Sequence, residues 1–349
     1  MLRTFIVGLG RAGMELHWPV LRRLRERSPW LFADDPPLAL DAQDKRTVAE
    51  NAGLLPVSSL VEAGRLTDPE QTVVHVCTPP TARLDLLRRL SAAGFRQIVM
   101  EKPLAADAAT LAEIDEVRRS GDLRMVVVAH WLDSALTRRL LELTITGELG
   151  PLKSISFAQL KPRLQRTLGS TGHPTAFDVE LPHSVGVALR IAGDAKVAAA
   201  ELTDMRVGRL VVPGMGSARL VLDHDSGPRT TIFSDLASPV RERRIELEFA
   251  GGRAIGHFPG GEDDHFAHLT VSRGAGMASG VSADVFPDDA LSTFFSRVYE
   301  EFADGISFDE EFRLANRVVE LLDEAKASSV LTGPAVSAGP GEEVMKVAS

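Results

Sequence analysis

The sequence predicts an α/β domain with a doubly wound parallel sheet over residues 1–130. An α+β domain of mostly antiparallel strands is expected over 131–349. Three observations carry this expectation. A short apolar run, Thr4-Phe5-Ile6-Val7, meets Gly8-Leu9-Gly10-Arg11-Ala12-Gly13 at the start of the chain. Strand and helix patterns then alternate to about Ala129, the order a parallel sheet with crossover helices requires. Beyond Ala192 come short alternating runs separated by Gly, Pro and Asp, which read as antiparallel strands.

The first stretch has the context of a dinucleotide fingerprint: a strand, then G-x-G-x-x-G, then a helical pattern from Met14 to Arg27. Gly8 permits the tight turn, Gly10 a close approach to a pyrophosphate, and Gly13 a close packing of helix on strand. With Arg11 and Ala12, the helix start offers unpaired N–H groups to phosphate. Pro19 should bend or restart that helix. Composition fits: 44% hydrophobic and 25% charged residues are ordinary for a folded protein. A net charge of −9 argues against general binding to nucleic acid or an anionic membrane. The single cysteine, Cys77, rules out a disulfide framework and reads as a buried strand thiol. No apolar stretch reaches the roughly 20 residues that span a bilayer. The chain starts directly in a strand, without a leader pattern, so a cytoplasmic setting is expected.

Leu38-Ala39-Leu40 is the next strand, ending in Asp41. A carboxylate there can accept bonds from the adenosine ribose and repel a 2′-phosphate, which favours NAD over NADP. Lys45 and Arg46 stand close enough to reverse the choice. Val73–Cys77 is a buried strand stopped by Thr78-Pro79-Pro80. Its loop lies at the C-terminal edge of the sheet, where open α/β sheets bind ligands. A helix over Arg83–Ala93 follows, then a strand over Gln97–Met100, running straight into Glu101-Lys102-Pro103. Helix Ala106–Ser120 and strand Met125–Ala129 complete the half.

With Glu101-Lys102-Pro103-Leu104 the chain resembles the Gfo/Idh/MocA oxidoreductases, the relatives of glucose–fructose oxidoreductase and inositol dehydrogenase. Gly8–Gly13, His17-x-Pro19-x-Leu21 and Thr78-Pro79-Pro80 match in the same order. The resemblance implies a Rossmann domain binding NAD or NADP, with Glu101 and Lys102 beside the nicotinamide. It also implies that Lys102 positions or ionises the reacting hydroxyl. Physically, a lysine at a strand end beside a proline-fixed turn can set its ammonium against a developing alkoxide.

In the second domain, Ser134–Thr146 reads as a helix, Lys153–Leu160 as a strand and Lys161–Pro174 as a basic loop containing Arg163, Arg166 and Gly172. Phe177-Asp178-Val179-Glu180-Leu181-Pro182-His183 then opens a helix to about Ala192. The family usually carries an acid four residues before the histidine. Here that position is Val179, so Asp178 and Glu180 compete for the substrate-orienting role. In a helix Glu180 and His183 share a face; in an extended segment Asp178 and Glu180 do. His183 suits an acid/base role because imidazole titrates near neutrality. His130-Trp131 is expected to line the pocket. Strands are expected at Val197–Thr203, Ala218–Asp223, Thr230–Ser234, Ile245–Phe249, Arg253–His257 and Ala267–Ser272. Amphipathic helices are expected at Leu291–Phe302 and Glu311–Ala327, followed by a Gly/Pro/Ser-containing tail that reads as an arm or a mobile end. The resemblance implies a sheet with helices on one face and the other face open, covered in a homodimer or homotetramer. His257, Asp263, Asp264, His265 and His268 could hold a metal, but nothing fixes their convergence; a solvated turn, with no metal, is the reading.

The expected function is therefore hydride transfer between NAD(P) and a secondary carbinol of a sugar, cyclitol or related polyol. Lys102 and His183 would handle the hydroxyl proton. Imine reduction and redox-neutral chemistry on retained NAD share this machinery. A non-catalytic ligand-sensing regulator is the alternative from another class; keeping both Lys102 and His183 argues against it.

Overall fold

Six parallel strands form the first sheet, in the order β3-β2-β1-β4-β5-β6. They are β1 (Arg3–Val7), β2 (Leu38–Leu40), β3 (Leu55–Pro56), β4 (Thr72–Val76), β5 (Gln97–Met100) and β6 (Arg124–Val127). The structure, a computed structural model, describes residues 1–105, 107–169, 173–261, 264–274, 280–331 and 343–344. The central strands β1, β4 and β5 are buried at every position because helices cover both faces. Phe5, Val7, Val74, Val76, Ile98 and Met100 join one core, while Ile6, Val73, Val99 and Val126 join the other.

The helices of this half are α1 (Trp18–Arg27), α2 (Arg46–Asn51), α3 (Leu60–Leu66), α4 (Arg83–Ala92) and α5 (Ala108–Ser120). Helix α5 starts on an Asp107 cap, whose Oδ1 accepts the Thr110 N–H at 2.7 Å; Ala106, the expected first residue, lies outside the described residues. The expected bend at Pro19 takes a specific form. Ala12–His17 is a π-helical turn, closed by a bond from the Trp18 N–H to the Gly13 carbonyl, and α1 begins after it. The wide turn absorbs the N–H that Pro19 lacks.

The chain forms two compact units: Met1–His130 with Leu291–Glu320, and Trp131–Ala290 with the chain from Leu321. The return of 291–320 to the first unit differs from the expectation of one contiguous second domain over 131–349. The reason is apolar surface. In α9 (Ala290–Ala303), Phe294, Phe295, Val298, Tyr299 and Phe302 complete one core of the parallel sheet. In α10 (Asp309–Ser328), Phe312 and Val319 join the other core. An amphipathic helix records that it has an apolar face, not which sheet lies beneath it.

The second unit is built on a nine-stranded sheet. Its strands are β7 (Leu152–Leu160), β8 (Ala195–Leu202), β11 (Ser217–His224), β12 (Arg229–Asp235), β13 (Glu242–Phe249), β14 (Gly252–His257), β15 (Phe266–Arg273), β16 (Val281–Pro287) and β17 (Val330–Leu331). Short strands β9 (Met205–Val207) and β10 (Leu210–Val212) pair separately. The sheet order is β16-β15-β14-β13-β7-β12-β11-β8-β17, antiparallel except for β7–β12 and β8–β17. Helices α6 (Ala135–Thr146) and α8 (Leu181–Ala192) pack against it. Strand β16 was not expected: Val281, Ala283 and Val285 do alternate with Ser282 and Asp284, but all but one of its residues are exposed. The basic segment expected as a loop contains helix α7 (Leu164–Gly169); Gly172 lies outside the described residues, as does most of the expected C-terminal tail.

Candidate active site

Strand order brings the first set of candidate residues together. Leu40, Val7, Val76 and Met100 are level across β2, β1, β4 and β5. Asp41, the Gly8–Gly13 turn, Thr78-Pro79-Pro80 and Glu101-Lys102 therefore leave the sheet along one C-terminal edge. The edge is tied by backbone bonds from the Gly8 N–H to Leu40 (2.8 Å), Cys77 to Val7 (2.8 Å) and Glu101 to Val76 (3.0 Å).

The turn fits a dinucleotide. Gly8 has φ +100, and a Cβ on Gly13 would lie 2.2 Å from the Gly8 carbonyl oxygen. A Cβ on Gly10 would meet nothing within 4 Å, so that side of the turn is open to a phosphate. Arg11 makes an exposed pair with Glu15 at 3.0 Å, and Ala12 begins the π turn. The Thr78 Oγ1 is buried with no protein partner among the described residues, a hydroxyl available to a bound group. Asp41 sits at the end of β2 as expected. Its Oδ2 accepts the Leu9 N–H at 2.6 Å, its Oδ1 accepts the Gln43 N–H at 2.9 Å, and Lys45 Nζ lies 3.3 Å away. Partial burial alone would raise the Asp41 pKa, but the two N–H groups and Lys45 hold it below the ordinary carboxylate value.

Two residues that sequence reasoning missed hold this edge. Buried Arg83 donates from Nε (3.1 Å) and Nη2 (3.0 Å) to the Thr78 carbonyl, and from Nη1 to the Pro103 carbonyl. It ties the two loops together; only a charge at a helix start hinted at this. Burial lowers its pKa to about 10. The other is His75, which the sequence placed inside a buried strand without a role. It belongs to a buried line of side chains. His17 Nε2 meets Glu101 Oε1 at 2.9 Å, His17 Nδ1 meets His75 Nδ1 at 2.9 Å, and His75 Nε2 meets the Tyr299 hydroxyl at 3.0 Å. Tyr299 in turn meets Thr4 Oγ1 at 2.7 Å. Cys77 is half-buried just beyond β4, not within it as expected, with its sulfur 3.4 Å from His17 Nδ1.

The His17–Glu101 pair predicts a pH dependence of stability. Burial alone would lower the His17 pKa, but Cys77 and Glu101 raise it from 6.5 to about 10. Burial alone would raise that of Glu101, but His17, Lys102 and Arg83 lower it from 4.5 to about 2. The Glu101 contribution is present above about 4.5 and is lost as pH falls towards about 2. The His17 contribution is present below about 6.5 and is lost as pH rises towards about 10. The Tm difference between wild type and His17→Gln is expected to be greatest between those bounds and to narrow on both sides. Thermal melts across the range check this; a difference independent of pH refutes it.

In the second unit, the segment before His183 is helical. Ala176–Asp178 is a 3₁₀ turn, Glu180 is the N-cap of α8, and the His183 N–H bonds the Glu180 carbonyl at 3.2 Å. Asp178 is turned to structure: its Oδ2 accepts Thr175 N (3.0 Å) and Oγ1 (2.8 Å), and Lys326 Nζ lies 3.3 Å from Oδ1. Glu180 is buried and paired with Lys161. Nothing in the sequence linked those two, which meet across 19 residues. The buried His183 ring stacks on Trp131 (centroids 5.3 Å apart, 22°), and Trp131 stacks on Phe258 (4.1 Å, 16°). Trp131 was expected near the site; Phe258, in a loop after β14, was not.

Arg163 is half-buried and Arg166 exposed around α7. His257 and His268 are register partners on β14 and β15, and His257 lies 3.7 Å from Glu242. Asp263 lies outside the described residues. Among the described residues, no three His, Cys, Asp or Glu side chains are arranged to hold a metal ion. No described helix is long and apolar enough to cross a membrane.

A parallel sheet in the order 3-2-1-4-5-6, with a glycine turn, a strand-end acid and a lysine turn on one edge, defines a dinucleotide-binding α/β protein. Residues 2–130 match the model of the Gfo/Idh/MocA family, described as an oxidoreductase family with an NAD-binding Rossmann fold. The match covers the N-terminal domain. Over the whole chain, the fold is similar to KijD10, a 3-ketoreductase from Actinomadura kijaniata solved with NADP and TDP-benzene. The TM-score is 0.76 at 17% identity, covering 94% of this chain and 98% of that one. It is also similar to a protein of Desulfitobacterium hafniense proposed as an NADPH-dependent oxidoreductase (TM-score 0.77, 12% identity, covering 92% and 93%). No curated protein sequence matches.

Proposed function

We propose that this protein is an NAD(P)-dependent dehydrogenase or reductase acting on a secondary alcohol or ketone of a sugar, cyclitol or related polyol. The observation that supports this most is the placement of Lys102 one strand away from Thr78 and two from the glycine turn. Gly8, Gly10 and Gly13 with the start of the following helix would hold the pyrophosphate, Asp41 the adenosine ribose, and Thr78-Pro79-Pro80 with Glu101 the nicotinamide end. The bound dinucleotide supplies the hydride acceptor or donor. Lys102 sets a positive charge against the substrate oxygen as its negative charge grows. His183 takes the hydroxyl proton in oxidation and returns it in reduction. The stack on Trp131 fixes the His183 ring. Glu180, rather than Asp178, is the substrate-orienting acid in this proposal, with Lys161 setting its charge balance.

The test is a screen by nicotinamide absorbance with NAD and NADP. The panel holds sugars, inositols, sugar acids and, because KijD10 was solved with TDP-benzene, nucleotide-linked keto sugars. Turnover with one substrate class supports the reading. Tight dinucleotide binding with no turnover across the panel favours a ligand-sensing regulator. Asp41 inclines the proposal to NAD; the structures of KijD10 hold NADP, so a kcat/KM ratio above one for NADP over NAD overturns that preference.

A homodimer or homotetramer is also proposed. Phe233, Phe266, Val281 and Val285 lie exposed on the second sheet, and apolar surface of this kind is commonly covered by a second copy. Sedimentation is expected to give a mass at least twice 37.7 kDa; a monomer at micromolar concentration refutes it.

A further inference from the structure

Lys102 has a neighbour whose side chain is committed on both oxygens. Glu101 Oε2 accepts the backbone N–H of Lys102 at 3.1 Å, and Oε1 faces His17 Nε2 at 2.9 Å. One carboxylate thus links the peptide that carries Lys102 to an imidazole with no exposed surface. That imidazole is itself fixed. Phe295 packs against its ring at 4.9 Å, His75 meets its other nitrogen, and Tyr299 and Thr4 continue the line into the core. The charged and titratable groups around it are Cys77, His75 and Glu101, with Lys102 and Arg83 acting on Glu101.

With Glu101 ionised and His75 neutral, the line accommodates two proton arrangements, because a single hydrogen lies between the two Nδ1 atoms. In one, His17 donates from both nitrogens, His75 donates to Tyr299, and Tyr299 donates to Thr4. In the other, every bond beyond His17 reverses and His17 is neutral. In both, His17 donates to Glu101. The bond to Glu101 is therefore the fixed point of the network, whichever way the rest is oriented.

We propose that His17 is a positioning residue for Lys102, acting through Glu101. Its donated hydrogen bond keeps the Glu101 carboxylate on the Lys102 peptide N–H and away from the Lys102 ammonium. The inference rests on the reading of Lys102 as the residue at the substrate oxygen. Without the His17 donor, the buried carboxylate loses its partner and turns to the nearest cation.

The test is trace acylation of the native protein with acetic anhydride at one fixed pH, read by mass spectrometry. The Lys102 rate is taken relative to exposed Lys196. In His17→Leu, the relative rate at Lys102 is expected to fall about threefold or more, since an ammonium drawn onto a carboxylate reacts more slowly. His17→Gln, which can donate to the same oxygen, is expected to restore it to within about twofold. If the leucine variant fails to fold, His17→Asn, too short to reach Glu101, replaces it. An unchanged rate in the folded disrupting variant, or no restoration by glutamine, overturns the proposal. Labelling does not depend on turnover. Labelling that responds as expected while Lys102→Ala keeps full turnover removes the catalytic reading of Lys102 and leaves its positioning by His17 standing.

Discussion

Lys102→Ala is expected to lower kcat/KM by about 10²–10³-fold, with the dinucleotide Kd within about threefold of wild type. The turn that carries Lys102 is held by its neighbours: Glu101 by His17, and Pro103 by Arg83. Truncating the side chain should leave that frame in place and remove only the charge that the proposed function sets against the substrate oxygen. The loss should therefore fall on kcat and kcat/KM together, as for an interaction made in the transition state. Steady-state kinetics with fluorescence titration of NADH or NADPH separate the two quantities. Equal loss of dinucleotide affinity would mean that Lys102 holds the cofactor. Full retained turnover would remove it from the chemistry.

The second large effect divides the glycines of the turn. Gly13→Ala is expected to destabilise the first unit by about 3 kcal/mol and to lower its Tm by about 10 °C. The added Cβ would stand 2.2 Å from the Gly8 carbonyl oxygen and 3.2 Å from an Ile6 methyl carbon, and neither the backbone nor the buried strand can retreat. Gly10→Ala should leave stability within about 0.5 kcal/mol, because its Cβ would meet no protein atom within 4 Å. In the proposed site the same methyl stands in the path of the pyrophosphate, so dinucleotide affinity should fall by about tenfold or more. Thermal melts and calorimetric titration of both variants check the pair. A Gly10→Ala protein that binds normally would place the pyrophosphate elsewhere.

Much of this was legible in the chain itself. Gly8–Gly13, the Leu40–Asp41 strand end, Thr78-Pro79-Pro80 and Glu101-Lys102-Pro103 each follow a short apolar run. In a parallel sheet every such run ends on the same edge. Local rules also placed α8 and its histidine. They left Asp178 and Glu180 open, because the choice depends on partners remote in sequence: Thr175 and Lys326 take Asp178, while Lys161 takes Glu180. Strand β16 carries a short period of two in Val281, Ala283 and Val285, but an exposed run of that length reads equally as a loop until β15 pairs with it.

What the sequence determined by itself was the succession of strands and turns in the first half, and with it the shared edge and the lysine on it. That information is local, carried by backbone geometry, side-chain period and the glycines a turn demands. What only the tertiary structure decided was which distant groups stand behind those residues. Helix α9 covers the parallel sheet and delivers Tyr299 to His75, and through His75 and His17 the line reaches Glu101. A buried polar group must find a partner, and the fold brings it one from anywhere in the chain.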